Sequence, residues 1–294
     1  MRLHPFELLE PETLPEALDA LYGVDGDTRV VAGGTALVPM LRLGLIRPAR
    51  LLSLHRISGL SGVRVDGGAL DVGAIASLSE VHRAPAVRTG WPLLADAVRS
   101  VATPSIRTSG TIGGNLCYAE AASDPAPALL CLDAEVCIAG RNAVRVVPIA
   151  QFFRGFYETA LDPGEIVTTV RVPPMPAGGR SGYVKFTSRS AEDKPLIGIA
   201  AMIVLDPGGR CEEARLGLGG AAPTAIRAPR AETILRGDVL SEATIRAAAD
   251  AAARDADPLS DLMGSAEYRR QMIRVWVRRL VTVLRERDPA PPAS

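Results

Sequence analysis

Apolar residues recur at two different periods along this chain, and the switches between them mark its elements. Thr13 followed by Glu16, with Pro15 in the first turn, predicts a capped helix through Leu21 that Gly23 ends. Arg29 to Ala32 reads as a short buried strand, and Thr35 to Leu43 carries the apolar spacing of a helix. Arg50 to Leu54 reads as another strand. Val63 to Val65 and Ala69 to Val72 predict a hairpin around Asp66, Gly67 and Gly68, so a new subdomain is expected to begin near Leu54. Ser77 or Ser79 caps a helix through His82, and Leu93 to Val101 gives a second helix that Pro104 stops.

Further on, Ala126 to Leu132 reads as helix, Glu135 to Ala139 and Arg145 to Pro148 as strands, and Glu165 to Val172 as an alternating strand. The stretch Pro173 to Gly182, PPMPAGGRSG, is the most linker-like in the chain and is taken as its main boundary. Tyr183 to Ser188, Ile199 to Leu205 and Arg215 to Gly219 then predict an antiparallel sheet. Helical stretches follow near Arg230, at Ser241 to Arg254 and at Ala266 to Arg287. The last sets Met272, Val275, Trp276, Leu280 and Val281 against an arginine-rich face, a stripe that reads as core packing. Proline-rich residues 288–294 are expected to form a frayed tail.

Two breaks in this pattern carry chemistry. Thr108 to Asp124, TSGTIGGNLCYAEAASD, sets Gly113 and Gly114 between Thr111 and Asn115. Glycines lack a Cβ, so the pair can take positive φ and aim backbone N–H groups into one concavity suited to a phosphate oxygen. Thr111 and Asn115 add side-chain hydrogen bonds at the rim. VVAGGTALVPM repeats the design, placing Gly33 and Gly34 after an apolar run and before Thr35. A glycine pair alone marks an ordinary tight turn as readily as a ligand site, but two such turns suit a pyrophosphate. The spacing GxGxxG is absent, which argues against a Rossmann dinucleotide fold.

Composition narrows the partners. With 294 residues and 47% apolar residues the chain can bury cores of two or three domains. Thirty-three basic residues balance thirty-three acidic ones, with no basic stripe interleaved with aromatics, so nucleic acid and anionic membranes are disfavoured. Cys117, Cys131, Cys137 and Cys211 lack metal-ligand spacing and read as buried free thiols. No apolar run reaches about 18 residues, and the acidic start is unlike a signal peptide, so a cytoplasmic protein is expected.

Candidate catalytic groups are few. His4, His55 and His82 lie far apart, and no triad emerges. Asp124 follows the second glycine turn closely enough to reach a nucleotide's sugar hydroxyls, and it also stands where a helix N-cap would precede Pro125. Lys185 and Arg189 would share one strand face, with Phe186 and Ser188 on the other, where a lysine is usually a solvated charge.

The motifs AGGTALVPMLRLGLIRPARLLSL and IRTSGTIGGNLCYAEAASDPAPALLCLDAEV, followed by EIVTTVRVP, GYVKFTSRSAEDKPLIGIAA and LGLGGAAPTAIRA, resemble the FAD-binding medium subunit of molybdenum hydroxylases. That family includes the carbon monoxide dehydrogenase medium chain and the FAD subunit of xanthine dehydrogenase. The resemblance implies an α+β fold: a two-part FAD-binding domain of the vanillyl-alcohol oxidase type over residues 1–175, split near residues 54 and 55, then a smaller sheet-plus-helices domain over 181–287. It implies that Ala32, Gly33, Gly34, Thr35 and Ala36 hold the FAD diphosphate together with Thr111, Ile112, Gly113, Gly114 and Asn115. Asp124 would bind the adenosine-side sugar, Val167 would contact the cofactor through its backbone, and Lys185 would sit near the flavin.

The implied function is electron transfer, with no side-chain catalytic base and no metal in this chain. A large partner would carry the molybdenum cofactor and a small partner two 2Fe-2S clusters, as a dimer of heterotrimers, with FAD here passing electrons to an external acceptor. Two alternatives stand beside it: a self-sufficient FAD-dependent oxidase and a cofactor-free assembly subunit. The chain departs from the family at Ala36, where a serine or aspartate is common, and around Asp193 and Lys194, where relatives often carry an aromatic near the flavin. It also lacks a cysteine-bearing insertion that holds an extra cluster in some relatives.

Overall fold

A computed structural model describes residues 4–22 and 27–288; Gly23 and all but the first residue of the tail lie outside them. The chain opens with β1 (Glu7–Leu9), α1 (Leu14–Leu21), β2 (Thr28–Val31), α2 (Leu37–Arg42) and β3 (Arg50–Ser53). These strands form a parallel sheet in the order β1-β3-β2, with Leu9 and Val30 both opposite Leu52. Thr13 caps α1 as expected, but Glu16 accepts from the Glu12 N–H rather than from the cap's own, so the box is only half formed. β2 is not the buried strand expected: Arg29 and Val30 are exposed, because β2 is an edge strand.

Next come β4 (Val63–Asp66), β5 (Ala69–Gly73), α3 (Leu78–Arg83), α4 (Pro85–Gly90), α5 (Pro92–Arg99), α6 (Pro104–Ser109), α7 (Ile112–Tyr118) and α8 (Pro125–Cys131). They are followed by β6 (Glu135–Ala139), β7 (Val144–Pro148), α9 (Ile149–Phe152), β8 (Phe153–Gly155), β9 (Glu158–Thr159) and β10 (Ile166–Val172). Gly67 and Gly68 both take positive φ, the turn that a two-residue hairpin between β4 and β5 requires. Ser77, not Ser79, caps α3 in a complete box with Glu80. Pro104 does not stop a helix. It begins α6, since a proline at the first helical position gives up an N–H that has no partner anyway. The strands pair antiparallel in the order β4-β5-β10-β6-β7 over a core that includes Trp91 and Phe152.

The last part comprises β11 (Arg180–Phe186), β12 (Ile197–Leu205), β13 (Cys211–Gly219), β14 (Ile226–Arg227), α10 (Pro229–Leu235), α11 (Glu242–Asp255) and α12 (Ala266–Glu286). The three strands expected here form an antiparallel sheet with a fourth, in the order β11-β12-β13-β14, and β11 starts at Arg180, inside the stretch read as linker. Strand alternation divides β12 between two cores. Ile199, Ala201 and Ile203 pack with α10, α11 and α12, whereas Ala200, Met202 and Val204 join the core around Trp91. Both sheet faces are therefore covered, and the sheet carries β11 against the helices that precede it. The buried stripe of α12 runs through Ile273, Val277, Leu280, Val281 and Leu284; Val275 and Trp276 lie to its side. No described helix is long and apolar enough to cross a membrane.

Candidate functional site

The first glycine turn, Ala32 to Ala36, links the end of β2 to the start of α2, and Ala36 occupies the N-cap position with no side-chain bond. Gly34 has φ +68°, which favours glycine. Gly33 needs glycine for a different reason: a Cβ there would lie 1.9 Å from the Ser109 carbonyl oxygen and 2.9 Å from Gly110 Cα. The turn is thus pressed against the backbone that leads into the second one. Among the described residues, the N–H groups of Gly33, Gly34, Thr35 and Ala36 donate to no protein acceptor. Four adjacent unpaired donors are the raw material of a backbone anion site.

The second turn works otherwise than its glycine pair suggests. Gly113 and Gly114 do not take positive φ; they form the first turn of α7, capped by Thr111. Their N–H groups are already spoken for. Ile112 donates to the Ala76 carbonyl at 3.1 Å, Gly113 to the Ala74 carbonyl at 2.9 Å, and Gly114 to Thr111 Oγ1 at 3.0 Å. The glycines serve close approach: a Cβ on Gly113 would meet Ala74 at 2.7 Å, and one on Gly114 would meet Thr111 Oγ1 at 2.8 Å. What remains for a ligand is the Thr111 hydroxyl proton and the Asn115 amide nitrogen, because Asn115 Oδ1 accepts from Ser123 at 2.7 Å. The two turns adjoin, since the Cβ position of Gly114 lies 3.9 Å from Ala32 Cβ.

Val167 lies in β10 opposite Ile138, beside a bulge at Thr168. The Thr168 carbonyl accepts from Ala74, whose own carbonyl holds Gly113, so this part of β10 is tied to the second turn.

Asp124 and Lys185 meet, although 61 residues separate them. Lys185 Nζ lies 3.2 Å from Asp124 Oδ2 and donates to the Ser100 carbonyl at 2.8 Å, while the Tyr183 hydroxyl donates to Asp124 Oδ1 at 2.7 Å. Asp124 stands at the N-cap of α8 but makes no capping bond. Both of its oxygens are engaged, and burial pushes its pKa up to about 6 against the lowering pull of Lys185 and Tyr183. Burial beside this carboxylate also drives the Tyr183 hydroxyl well above 10. Lys185 is not a solvated charge: its side chain is 8% exposed. Arg189 does not share its face, because β11 ends at Phe186.

Tyr183 and Ser100 are the partners that sequence reasoning missed. Tyr183 was recoverable, as it stands two residues from Lys185 and a strand repeats every second residue. An open cleft of about 480 Å³ adjoins the pair, lined by Arg99, Ser100, Arg107, Tyr183, Lys185 and Glu192. Near the departure at Asp193 and Lys194, Lys194 pairs with Glu120, which also accepts from the Tyr157 hydroxyl at 3.1 Å. Tyr118 and Tyr157 pack at a 53° tilt with ring centroids 5.1 Å apart, so aromatics do stand here, contributed by other segments.

All four cysteines are free, and no group of three or more potential metal ligands gathers among the described residues.

Comparison with known proteins places this geometry. Residues 4–175 match the FAD-binding domain of molybdopterin dehydrogenases, and residues 182–284 the C-terminal domain of the CO dehydrogenase flavoprotein. The chain is 34% identical over 279 residues to the 6-hydroxypseudooxynicotine dehydrogenase complex subunit alpha of Paenarthrobacter nicotinovorans, covering 95% of this chain and 94% of that one. It is 32% identical to the carbon monoxide dehydrogenase medium chain of Hydrogenophaga pseudoflava, covering 93% and 95% respectively. A solved carbon monoxide dehydrogenase from Hydrogenophaga pseudoflava, lacking the Mo-pyranopterin moiety of its molybdenum cofactor, matches at 33% identity with TM-score 0.94. That match covers 98% of this chain and 100% of the other. With its two glycine turns in contact and both domain types matched, the chain belongs to the FAD-binding medium chains of molybdenum-containing dehydrogenases, which are oxidoreductase subunits.

Proposed function

We propose that this chain holds FAD by its diphosphate between the two glycine turns and relays electrons for a molybdenum hydroxylase. The observation that carries the reading is the press of Gly33 against Ser109 and Gly110, which sets four unpaired N–H groups beside the capped start of α7. These residues fit the group: Gly33, Gly34, Thr35 and Ala36 supply backbone donors, and Thr111 and Asn115 supply a hydroxyl and an amide. FAD when bound supplies a redox centre that takes up and gives out one or two electrons.

The chain's own part is to bind, orient and shield. The N–H groups of residues 33–36 would donate hydrogen bonds to phosphate oxygens, Ile112 to Gly114 use their N–H groups to fix the facing wall, and Val167 would offer backbone contact from β10. Asp124 accepts one bond at each oxygen, from Tyr183 and Lys185, so it holds Lys185 at the cleft and keeps a free lone pair on each oxygen for a hydroxyl of the adenosine-side sugar. Lys185, with its three donors and positive charge, favours electron density arriving beside it.

In this reading residues 1–175 form the FAD-binding domain, with parts at about 1–54 and 55–175, and residues 181–287 form the C-terminal domain. A large molybdenum-cofactor subunit oxidises the substrate, and a small subunit with 2Fe-2S clusters delivers electrons here in a cytoplasmic dimer of heterotrimers. The test is anaerobic. Substrate should bleach the flavin absorbance only when the molybdenum and iron–sulfur subunits are present. Bleaching of the isolated chain by substrate would refute the reading.

A further inference from the structure

Residues Leu37 to Ile46 form an apolar segment that the fold covers only in part: Val38, Leu43 and Leu45 are exposed, and Leu37, Met40, Leu41 and Ile46 are half-buried. Seven of these ten residues are Leu, Val, Met or Ile. None is buried, α2 contributes no buried side chain, and none of the ten joins any of the three cores. Leu43 is 67% exposed and Leu45 68%. A helix of six residues has too few hydrogen bonds to persist on its own propensity, so an exposed apolar one gains by being covered. The segment is also one-sided in charge: between Thr28 and Val65 the sequence holds six arginines and no acid. Arg42 and Arg47 make no ion pair among the described residues. Finally, α2 starts where the first glycine turn ends, with Ala36 at its cap position.

We infer that this segment is the docking face for the subunit that delivers electrons to the flavin, a protein surface with an apolar centre and a carboxylate rim. The inference rests on the reading of the preceding section. Electron transfer slows steeply with distance, so the electron donor is the partner that must approach the cofactor turn, and α2 adjoins it. An acidic rim complements Arg42 and Arg47. A second copy of this chain fits poorly, because a two-fold interface would set like arginine rims together. A membrane surface fits poorly as well, because α2 ends after six residues at Arg42, and Gly44, with φ +69°, turns the chain away from the helix axis.

The test uses the tagged chain produced in its native host and purified with its bound subunits, with FAD, iron and molybdenum measured per chain. Leu43→Asp combined with Leu45→Asp should keep FAD at the wild-type level and lower co-purifying iron by about ten-fold or more. Arg42→Glu combined with Arg47→Glu should do the same, and the wild type should shed iron as salt is raised. A photo-crosslinker at Leu45 should join this chain to the iron-bearing subunit. Wild type that lacks FAD would refute the preceding reading itself. Wild type with FAD and iron, but variants that keep the iron, would overturn the docking face alone. So would FAD leaving with the iron while the melting temperature holds, which would mean that the cofactor covers the segment. A crosslink to a second copy of this chain, or sedimentation of wild type but not variants with phosphatidylglycerol vesicles, would also overturn it. The milder pair Leu43→Ser and Leu45→Ser serves if the aspartates prevent folding, with the same expected loss of iron.

Discussion

Replacing Gly33 by alanine tests the contact between the two turns. The added Cβ would stand 1.9 Å from the Ser109 carbonyl oxygen and 2.7 Å from its carbon, both backbone atoms that no rotamer change can move aside. To restore van der Waals contact, one turn would have to retreat by about 1.5 Å in an interior that packs at crystal-like density. Overpacking of this kind costs roughly 1–3 kcal/mol. The retreat displaces residues 33–36, whose N–H groups are the free donors of the site. If the loss falls on ligand binding, FAD affinity drops by about 5- to 150-fold, at 1.4 kcal/mol per factor of ten. FAD titration of the flavin-free chain, followed by flavin fluorescence, measures this, with a thermal melt alongside to report the fold. Gly67→Ala is the control: φ there is +57° and nothing lies within 4 Å of its Cβ position, so it strains the β4–β5 turn alone. It should cost about 1–2 kcal/mol of stability and leave FAD affinity unchanged. Gly33→Ala binding FAD as tightly as wild type would refute the reasoning.

Other perturbations give distinct signatures. Thr111→Ala removes the acceptor for the Gly114 N–H and should cost about 1 kcal/mol of stability together with FAD affinity, whereas Thr111→Ser should restore both. Failure of serine to rescue would remove the hydroxyl from the account. Folding raises the pKa of Asp124 from 3.8 to about 6, so its stabilising contribution is complete below about pH 4 and is lost as pH rises through about 6. The change is worth roughly 3 kcal/mol. Melts of Asp124→Asn across this range should lack that part of the wild-type decline, and parallel profiles would contradict the assignment. Lys185→Met strips Asp124 of its cationic partner and should destabilise by about 3–5 kcal/mol at pH 7, with a smaller loss at pH 5 where the carboxyl is protonated. Equal losses at the two pH values would contradict it.

Much of the fold was written in local pattern. The hairpin at Gly67 and Gly68, a serine-capped helix through His82 and three strands of the C-terminal sheet follow from alternation, capping chemistry and turn residues within short windows. What escaped was non-local or ambiguous. The glycine pair at 113 and 114 reports that side chains are absent without saying why, and here the reason is the approach of Ala74, not positive φ. Proline starts helices as readily as it stops them, which hid α4 and α6. Period two puts Tyr183 on the strand face of Lys185, but their meeting with Asp124 and Ser100 spans 59 to 85 residues, distances over which periodicity carries no information. The incomplete burial of α2 was hidden for the opposite reason: an apolar run reads alike wherever it stands, and only packing reveals that none of its side chains is fully buried.

Ligand discrimination bears most directly on the diphosphate grip. The flavin-free chain should bind one FAD, with ADP competing and with riboflavin, which carries the same ring but no phosphate, binding at least about a hundred-fold more weakly. Riboflavin binding as tightly as FAD would show that the ring and not the diphosphate is what the two turns hold, and the account would fall.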